Sequence, residues 1–71
     1  MVSVQKREEL IAARKAKGFS RPQLASLANV SFEHIKSLEY GRVNPSTSLM
    51  YRLCNILEAS PEELFKDIVR V

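Results

Sequence analysis

Four side chains of different chemistry share one side of a short predicted helix within the stretch NVSFEHIKSLEY. Phe32, Glu33, Lys36 and Ser37 are spaced i, i+1, i+4 and i+5, which groups them on one face of a helix with about 3.6 residues per turn. They combine an aromatic ring, a carboxylate, an ammonium group and a hydroxyl. Such a face can bind a partner that offers both apolar surface and hydrogen-bonding groups.

The chain offers almost nothing for catalysis or metal binding. It contains one histidine, His34, one cysteine, Cys54, and no paired carboxylates that indicate an acid-base site. We therefore expect no catalytic residue, no metal and no other cofactor, and no small-molecule ligand is evident. A single cysteine cannot form a disulfide within the chain, which fits a reducing, cytoplasmic location. No apolar run approaches the roughly 18 residues of a membrane span, and no signal sequence is visible, so we expect no membrane partner.

Length and composition indicate one small globular domain. The chain has 71 residues, of which 45% are hydrophobic and 27% charged, and this balance supports a single hydrophobic core. We predict one domain over residues 1–71, with a core of about residues 6–66, a short N-terminal arm and a C-terminal tail. The net charge of +3 is compatible with a polyanionic partner but does not identify one.

Helix-starting and helix-ending signals predict five short helices, and strand signals are nearly absent. The first helix is predicted from about Val4 to Lys17, ending at Gly18, which suits a left-handed C-terminal cap. The second follows Ser20, whose capping box includes Gln23. It should end at Asn29 and bury one face, formed by Leu24, Leu27 and Ala28.

The other three helices have similar signals. The third is capped by Ser31 and closed by Gly41, with Ile35 and Leu38 on its inner face and Tyr40 on the outer side. The fourth begins at Ser46 or Thr47, and its core stripe comprises Leu49, Leu53, Ile56 and Leu57. The fifth has Ser60, Pro61 and Glu63 in capping positions and should run towards Val69, with Leu64, Phe65 and Ile68 on its apolar side.

Helices two and three, separated by a three-residue bend, have the layout of a helix-turn-helix. In such a unit the first helix braces the second, whose outer face can enter the major groove of DNA. The chain also resembles the lambda-repressor-like helix-turn-helix family, which includes Cro and xenobiotic-response-element-type regulators. The resemblance extends from Arg7 to Phe65 and is carried by RKAKGFS, QLASLANVS, IKSLEYGRVNPS and LEASPEELF, in the family's order. It implies an all-α, compact five-helix domain.

The resemblance implies which residues contact DNA bases. Ser31, Phe32, Glu33 and Ser37 match family positions that reach base edges, and Lys36 lies on the same face. Glu33 can accept a hydrogen bond from cytosine, Phe32 can pack on a thymine methyl group, and Lys36 can bind guanine or a phosphate. Two alternatives remain: Phe32 can be a core residue, and Glu33 can be an acid favoured by the helix dipole.

Other basic and polar residues are candidates for the phosphate backbone. We expect contacts from Arg21 and Gln23 at the start of helix two, where the helix N-terminus attracts anions, and from Arg42 and Asn44 in the loop after helix three. The alternative is that both arginines are merely solvated. Four further basic residues are expected to form a general solvated face: Lys6, Arg7, Lys15 and Lys17.

The resemblance also implies an ion pair, and apolar residues near the C-terminus indicate an assembly. Arg14 and Glu39 occupy the positions of a pair that links helix one to the end of helix three, with two separate surface charges as the alternative. The expected function is sequence-specific regulation of transcription by a homodimeric repressor on double-stranded DNA with a palindromic operator. An antitoxin-like or other protein-interaction module on the same scaffold is the alternative function. The expected dimer surface comprises Met50, Phe65, Ile68, Val69 and Val71.

Overall fold

The computed structural model describes residues 6–69, and within that range all regular structure is helical. This confirms the predicted all-α class and the number of helices. The helices are α1 (Glu8–Ala16), α2 (Arg21–Ala28), α3 (Phe32–Glu39), α4 (Thr47–Leu57) and α5 (Pro61–Leu64). Within residues 6–69, no helix combines the length and apolar character needed to cross a membrane.

Serine caps begin four of the five helices. The hydroxyls of Ser20, Ser31, Ser46 and Ser60 each accept a hydrogen bond from the backbone amide three residues later. Ser20 and Ser60 complete capping boxes with Gln23 and Glu63, respectively. Because each cap satisfies an amide that has no partner inside the helix, it fixes where the helix begins. Ser46, rather than Thr47, is the cap of α4.

The core is made by one apolar side of each helix. Its buried members are Leu10 from α1, Leu24, Ala25 and Ala28 from α2, Ile35 and Leu38 from α3, Leu49, Leu53, Cys54 and Leu57 from α4, and Leu64 with Phe65 at the end of α5. Ile56, predicted in the core stripe, is half-buried and packs against this cluster. The inner side of α3 is thereby held against the rest of the domain.

Leu27 does not belong to the core, so the predicted inner face of α2 was wrong at this position. Its side chain is 53% exposed and lines a shallow groove with Phe19, Gln23 and Ser26. The buried residues of α2 are Leu24, Ala25 and Ala28, at i, i+1 and i+4, and this stripe leaves Leu27 at its edge.

The ends of α1 and α5 also differ from the prediction. α1 begins at Glu8, after the N-cap Arg7, while Val4 and Gln5 lie outside the described residues. α5 ends at Leu64 instead of running towards Val69. Phe65 leaves the helical conformation, with φ −129° and ψ 43°, and buries its side chain completely. The amides of Ile68 and Val69 both donate to the Phe65 carbonyl, which turns the following chain back.

Candidate functional site

The outward face of α3 is open to solvent. Phe32 is 40% exposed, Ser31 and Glu33 are exposed, and Lys36 and Ser37 are half-buried. Phe32 is therefore not a core residue, which removes one alternative for its role. The five side chains form one surface at the N-terminal half and outer side of α3, and nothing in residues 6–69 seals it.

Ser31 and Glu33 have local roles that leave part of each side chain free. Ser31 Oγ accepts a hydrogen bond from the amide of His34 at 3.1 Å, so its hydroxyl proton remains available as a donor. Glu33 lies in the first turn of α3, where the helix dipole favours a carboxylate. No basic side chain within residues 6–69 forms an ion pair with it. Both interpretations of Glu33 fit this geometry, and its contact with a base stays a prediction.

A short, well-bonded turn sets the direction of α3 relative to α2. Asn29 adopts the left-handed conformation, with φ 60° and ψ 44°, and the Val30 amide donates to the Ala25 carbonyl at 3.0 Å. Asparagine accepts this conformation better than most other residues with a side chain. Arg52 of α4 donates to the Ala28 carbonyl at 2.6 Å, a contact with no signal in the sequence. The turn thereby satisfies the free carbonyls at the end of α2.

Glu39, at the end of α3, is bonded to two arginines. Its carboxylate is fully buried and accepts from Arg14 Nε at 2.5 Å and from Arg21 Nε at 2.7 Å. The structure thus brings together Arg14 and Glu39, the two residues expected to pair, and adds Arg21. The hydrogen bond to Glu39 is the main cause that raises the pKa of Arg21 above its ordinary value. The network links α1, α2 and the C-terminal end of α3.

The uncharged candidates for phosphate binding are held by bonds that leave donors free. Gln23 Oε1 accepts from the Ser20 amide at 2.8 Å, so the side-chain nitrogen of Gln23 remains a donor for an anion. Asn44 Oδ1 accepts a hydrogen bond from Arg7 Nη2 at 2.8 Å, so the side-chain nitrogen of Asn44 also remains a donor for an anion. Both residues are exposed. Their contact with phosphate stays a prediction.

Arg7 was assigned to a solvated face, and this prediction was wrong. Only 4% of the residue is exposed, because its guanidinium is enclosed by the C-terminal part of α3, the following loop and the segment after α5. It donates to the carbonyls of Leu38 and Val43 at 2.7 and 2.8 Å and to both carboxylate oxygens of Asp67. The partners lie 31 to 60 residues away in the chain, so no local pattern could have revealed them.

The predicted dimer surface is only partly available. Phe65 has no exposed surface because its ring fills the domain's own core, so its assignment to the surface was wrong. Ile68 is 38% exposed, and Met50 and Val69 are half-buried against the core. Val71 lies outside the described residues.

Neither Cys54 nor His34 belongs to a possible metal-binding group in the described part of the chain. Cys54 is buried in the core, and its burial raises the pKa of the thiol. A raised pKa lowers the fraction of the reactive thiolate at neutral pH. No group of three His, Cys, Asp or Glu residues within positions 6–69 could hold a metal ion.

Comparison with known proteins supports the helix-turn-helix layout. The profile of the HTH_3 family, described as helix-turn-helix, matches residues 10–64. A solved structure of the restriction-modification controller protein C.AhdI from Aeromonas hydrophila is 33% identical, with 82% of this chain and 88% of that chain covered and a TM-score of 0.73. No match was found among curated protein sequences.

Two further solved structures are similar at lower identity. An HTH_3 family transcriptional regulator from Vibrio cholerae is 28% identical over 92% of this chain, with a TM-score of 0.71, and only 36% of that longer chain is covered. The clp gene regulator ClgR from C. glutamicum is 28% identical over 89% of this chain and 87% of that chain, with a TM-score of 0.70.

Proposed function

The chain belongs to the HTH_3 family of helix-turn-helix proteins, and on this premise we propose that it is a DNA-binding transcriptional regulator. The observation that carries the proposal is the open outward face of α3, a helix that packs against α2 and is held at its C-terminal end by the Arg14, Glu39 and Arg21 network. An α-helix fits the major groove when its outer face is free and a second helix fixes its angle. The similar solved structures include two proteins named as gene or transcriptional regulators.

Within this function, Ser31, Phe32, Glu33, Lys36 and Ser37 contact base edges. Arg21, Gln23, Arg42 and Asn44 contact phosphates and set the register of α3 on the duplex. The division follows from position, because the first group lies on the outer side of α3 and the second lies at the start of α2 and after the end of α3.

We further propose that the protein is a repressor that acts as a homodimer on a palindromic operator. Met50, Ile68 and Val69 supply the apolar surface for the dimer, and two-fold symmetry would place the two α3 helices in major grooves about 34 Å apart. The remaining exposed surface of Ile68 supports this choice of face. Binding of a repressor dimer across a promoter would exclude the polymerase.

Selection of bound duplexes from a random pool tests the proposed function. The purified protein should enrich one motif with two-fold symmetry, and sedimentation at high micromolar concentration should give the mass of a dimer. A strictly monomeric protein that enriches no motif would contradict the proposal. An enriched motif without symmetry would preserve DNA binding and remove the palindromic operator.

Substitutions on the two groups of residues should have different effects. Ser37→Ala and Glu33→Ala should each change the preference for particular base pairs of the selected motif by about 1 to 3 kcal/mol, because a base-edge contact is lost. Arg42→Ala should weaken selected and unrelated duplexes alike and lower the slope of log affinity against log salt by about one. Fluorescence anisotropy with both duplexes over a KCl series measures these effects.

Lys15→Ala is the matched control for Arg42→Ala, because Lys15 is exposed on α1 and belongs to neither group. It should leave base preference unchanged and alter affinity less than Arg42→Ala. If Ser37→Ala and Arg42→Ala weakened selected and unrelated duplexes by the same factor, the division between base and phosphate contacts would be wrong.

A further inference from the structure

The ring of Tyr40 is the meeting point of three cationic side chains. Lys6 Nζ lies 5.2 Å from the ring centroid, Arg21 Cζ lies 5.5 Å from it and Arg42 Cζ lies 5.2 Å from it. The three residues come from the segment before α1, the first position of α2 and the loop after α3. Folding therefore gathers them at the C-terminal end of α3, although they are far apart in the sequence.

Negative charge near Tyr40 does not balance these cations. The carboxylate of Glu39, the residue before Tyr40, is already shared between Arg14 and Arg21. The C-terminus of a helix adds only about half a negative charge. Within residues 6–69, no carboxylate forms an ion pair with Lys6 or Arg42. An aromatic ring attracts an exposed cation only weakly and carries no net charge, so Tyr40 does not neutralise the three cations.

The three cations remain accessible to an anion. Lys6 and Arg42 are exposed, and Arg21 and Tyr40 are half-buried. The bond from Arg21 Nε to Glu39 fixes one edge of the guanidinium, while the terminal nitrogens, apart from the ring contact, remain as donors. Arginine can bind an anionic oxygen through two nitrogens, whereas lysine provides a compact positive charge. This combination suits a group with a full negative charge and two or more acceptor oxygens.

We propose that Lys6, Arg21 and Arg42, held around Tyr40, form one site for a single phosphate of the DNA backbone. The inference rests on the proposed function and extends it, because it adds Lys6 from outside the helix-turn-helix unit and makes three cations share one ligand. Two of them, Arg21 and Arg42, flank the helix-turn-helix on opposite ends in sequence. A phosphate bound by both would fix the position of the C-terminal end of α3 on the duplex.

Binding of a mixed-sequence duplex at low salt tests the part played by Lys6. Lys6→Gln should weaken binding about tenfold, since a charge-assisted contact is lost, whereas Lys15→Gln removes the same charge elsewhere on the surface and should change affinity about twofold or less. Both residues are exposed, so both variants should fold, and urea unfolding verifies this. If the native protein failed to bind any duplex, both the proposed function and this site would be wrong.

Neutral methylphosphonate groups, introduced one at a time into the bound duplex, test whether the cations share one phosphate. At one position in each half-site, the methylphosphonate should weaken DNA binding by the native protein about tenfold. With the same substitution in the DNA, Lys6→Gln and Arg42→Gln should each weaken binding further by only about twofold or less. If the native protein binds DNA but Lys6→Gln behaves like Lys15→Gln, the site is wrong and the proposed function stands. The shared site would also be wrong if the methylphosphonate that reduces the effect of Lys6→Gln lay at a different position from the one that reduces the effect of Arg42→Gln.

Discussion

Glu39→Gln should lower the free energy of unfolding by about 3 to 5 kcal/mol, which is as much as a core of this size usually supplies. Glu39 has no exposed surface, and its carboxylate is the partner of Arg14, a residue that is only 6% exposed. Glutamine has one acceptor oxygen in place of two and presents an NH₂ group to guanidinium donors. Arg14 would therefore keep its charge in a buried site without compensation.

Removal of both charges should be less damaging than removal of one. In Arg14→Met with Glu39→Leu, no buried charge lacks a partner, because Arg21 is partly exposed and can be solvated. The double variant should be more stable than Glu39→Gln by about 1 kcal/mol or more, a non-additive result typical of contacting residues. Its DNA affinity should nevertheless fall, since Arg21 would lose the carboxylate that orients its guanidinium.

Urea unfolding followed by circular dichroism measures these effects, and Glu58→Gln is the control. Glu58 also pairs with a basic residue, Lys17, at 2.8 Å, and a hydrogen bond from Lys17 lowers the pKa of its carboxyl group. This pair is largely exposed, so the unfolding midpoint of Glu58→Gln should stay near that of the native protein. An unchanged midpoint for Glu39→Gln would show that the buried network contributes little to stability.

The start of a helix could be predicted from the sequence wherever the capping side chain lies within four residues of the backbone amide that it binds. Ser20, Ser31 and Ser60 were identified as caps because the signal and its partner are adjacent in the chain. The same reasoning predicted that Asn29 ends α2 and makes the bend into α3. The outward face of α3 follows from periodicity once the inner residues are known.

Longer-range packing explains the errors. Leu27 has the right spacing for the core, but the contacts of α2 with α3 and α4 select a stripe centred on Leu24 and Ala28. Phe65 continues the apolar pattern of α5, yet its burial breaks the helix after one turn. Neither outcome depends on residues within one helical turn, so neither could be read from the local sequence.

The candidate site was predictable to different degrees. Periodicity indicated the base-facing side of α3, but the pairing of Arg14 with Glu39 came from the family resemblance, because 25 residues separate them. The addition of Arg21 to that pair had no signal. Lys6 was predicted to be solvated, and its side chain is indeed exposed. Its position beside Tyr40 could not be predicted, because it depends on how α1 packs on the end of α3.

Arg7→Lys should cost about 2 to 4 kcal/mol even though it keeps the positive charge. The five N–H groups of Arg7 all have partners: Leu38 O, Val43 O, Asn44 Oδ1 and both carboxylate oxygens of Asp67. Its guanidinium also lies 5.4 Å from the centre of the Phe65 ring. Lysine has three donors and no planar fork, so it would leave buried acceptors such as the Leu38 carbonyl without a partner.

Arg7→Lys should also weaken DNA binding, because Arg7 holds Val43 and Asn44 in the loop that carries Arg42. DNA affinity is measured without urea and is expressed per folded molecule, with the folded fraction determined by circular dichroism. Asp67→Asn separates the two kinds of contact, because it removes the carboxylate and leaves the loop bonds intact. Asp67 is half exposed, so solvent screens its pair with the buried Arg7 more than it screens the buried Glu39 pair, and the loss should be about 1 to 2 kcal/mol, smaller than that of Arg7→Lys. An equal loss of stability in Asp67→Asn and Arg7→Lys would mean that the ion pair, and not the bonds to the loop and to α3, accounts for the contribution of Arg7.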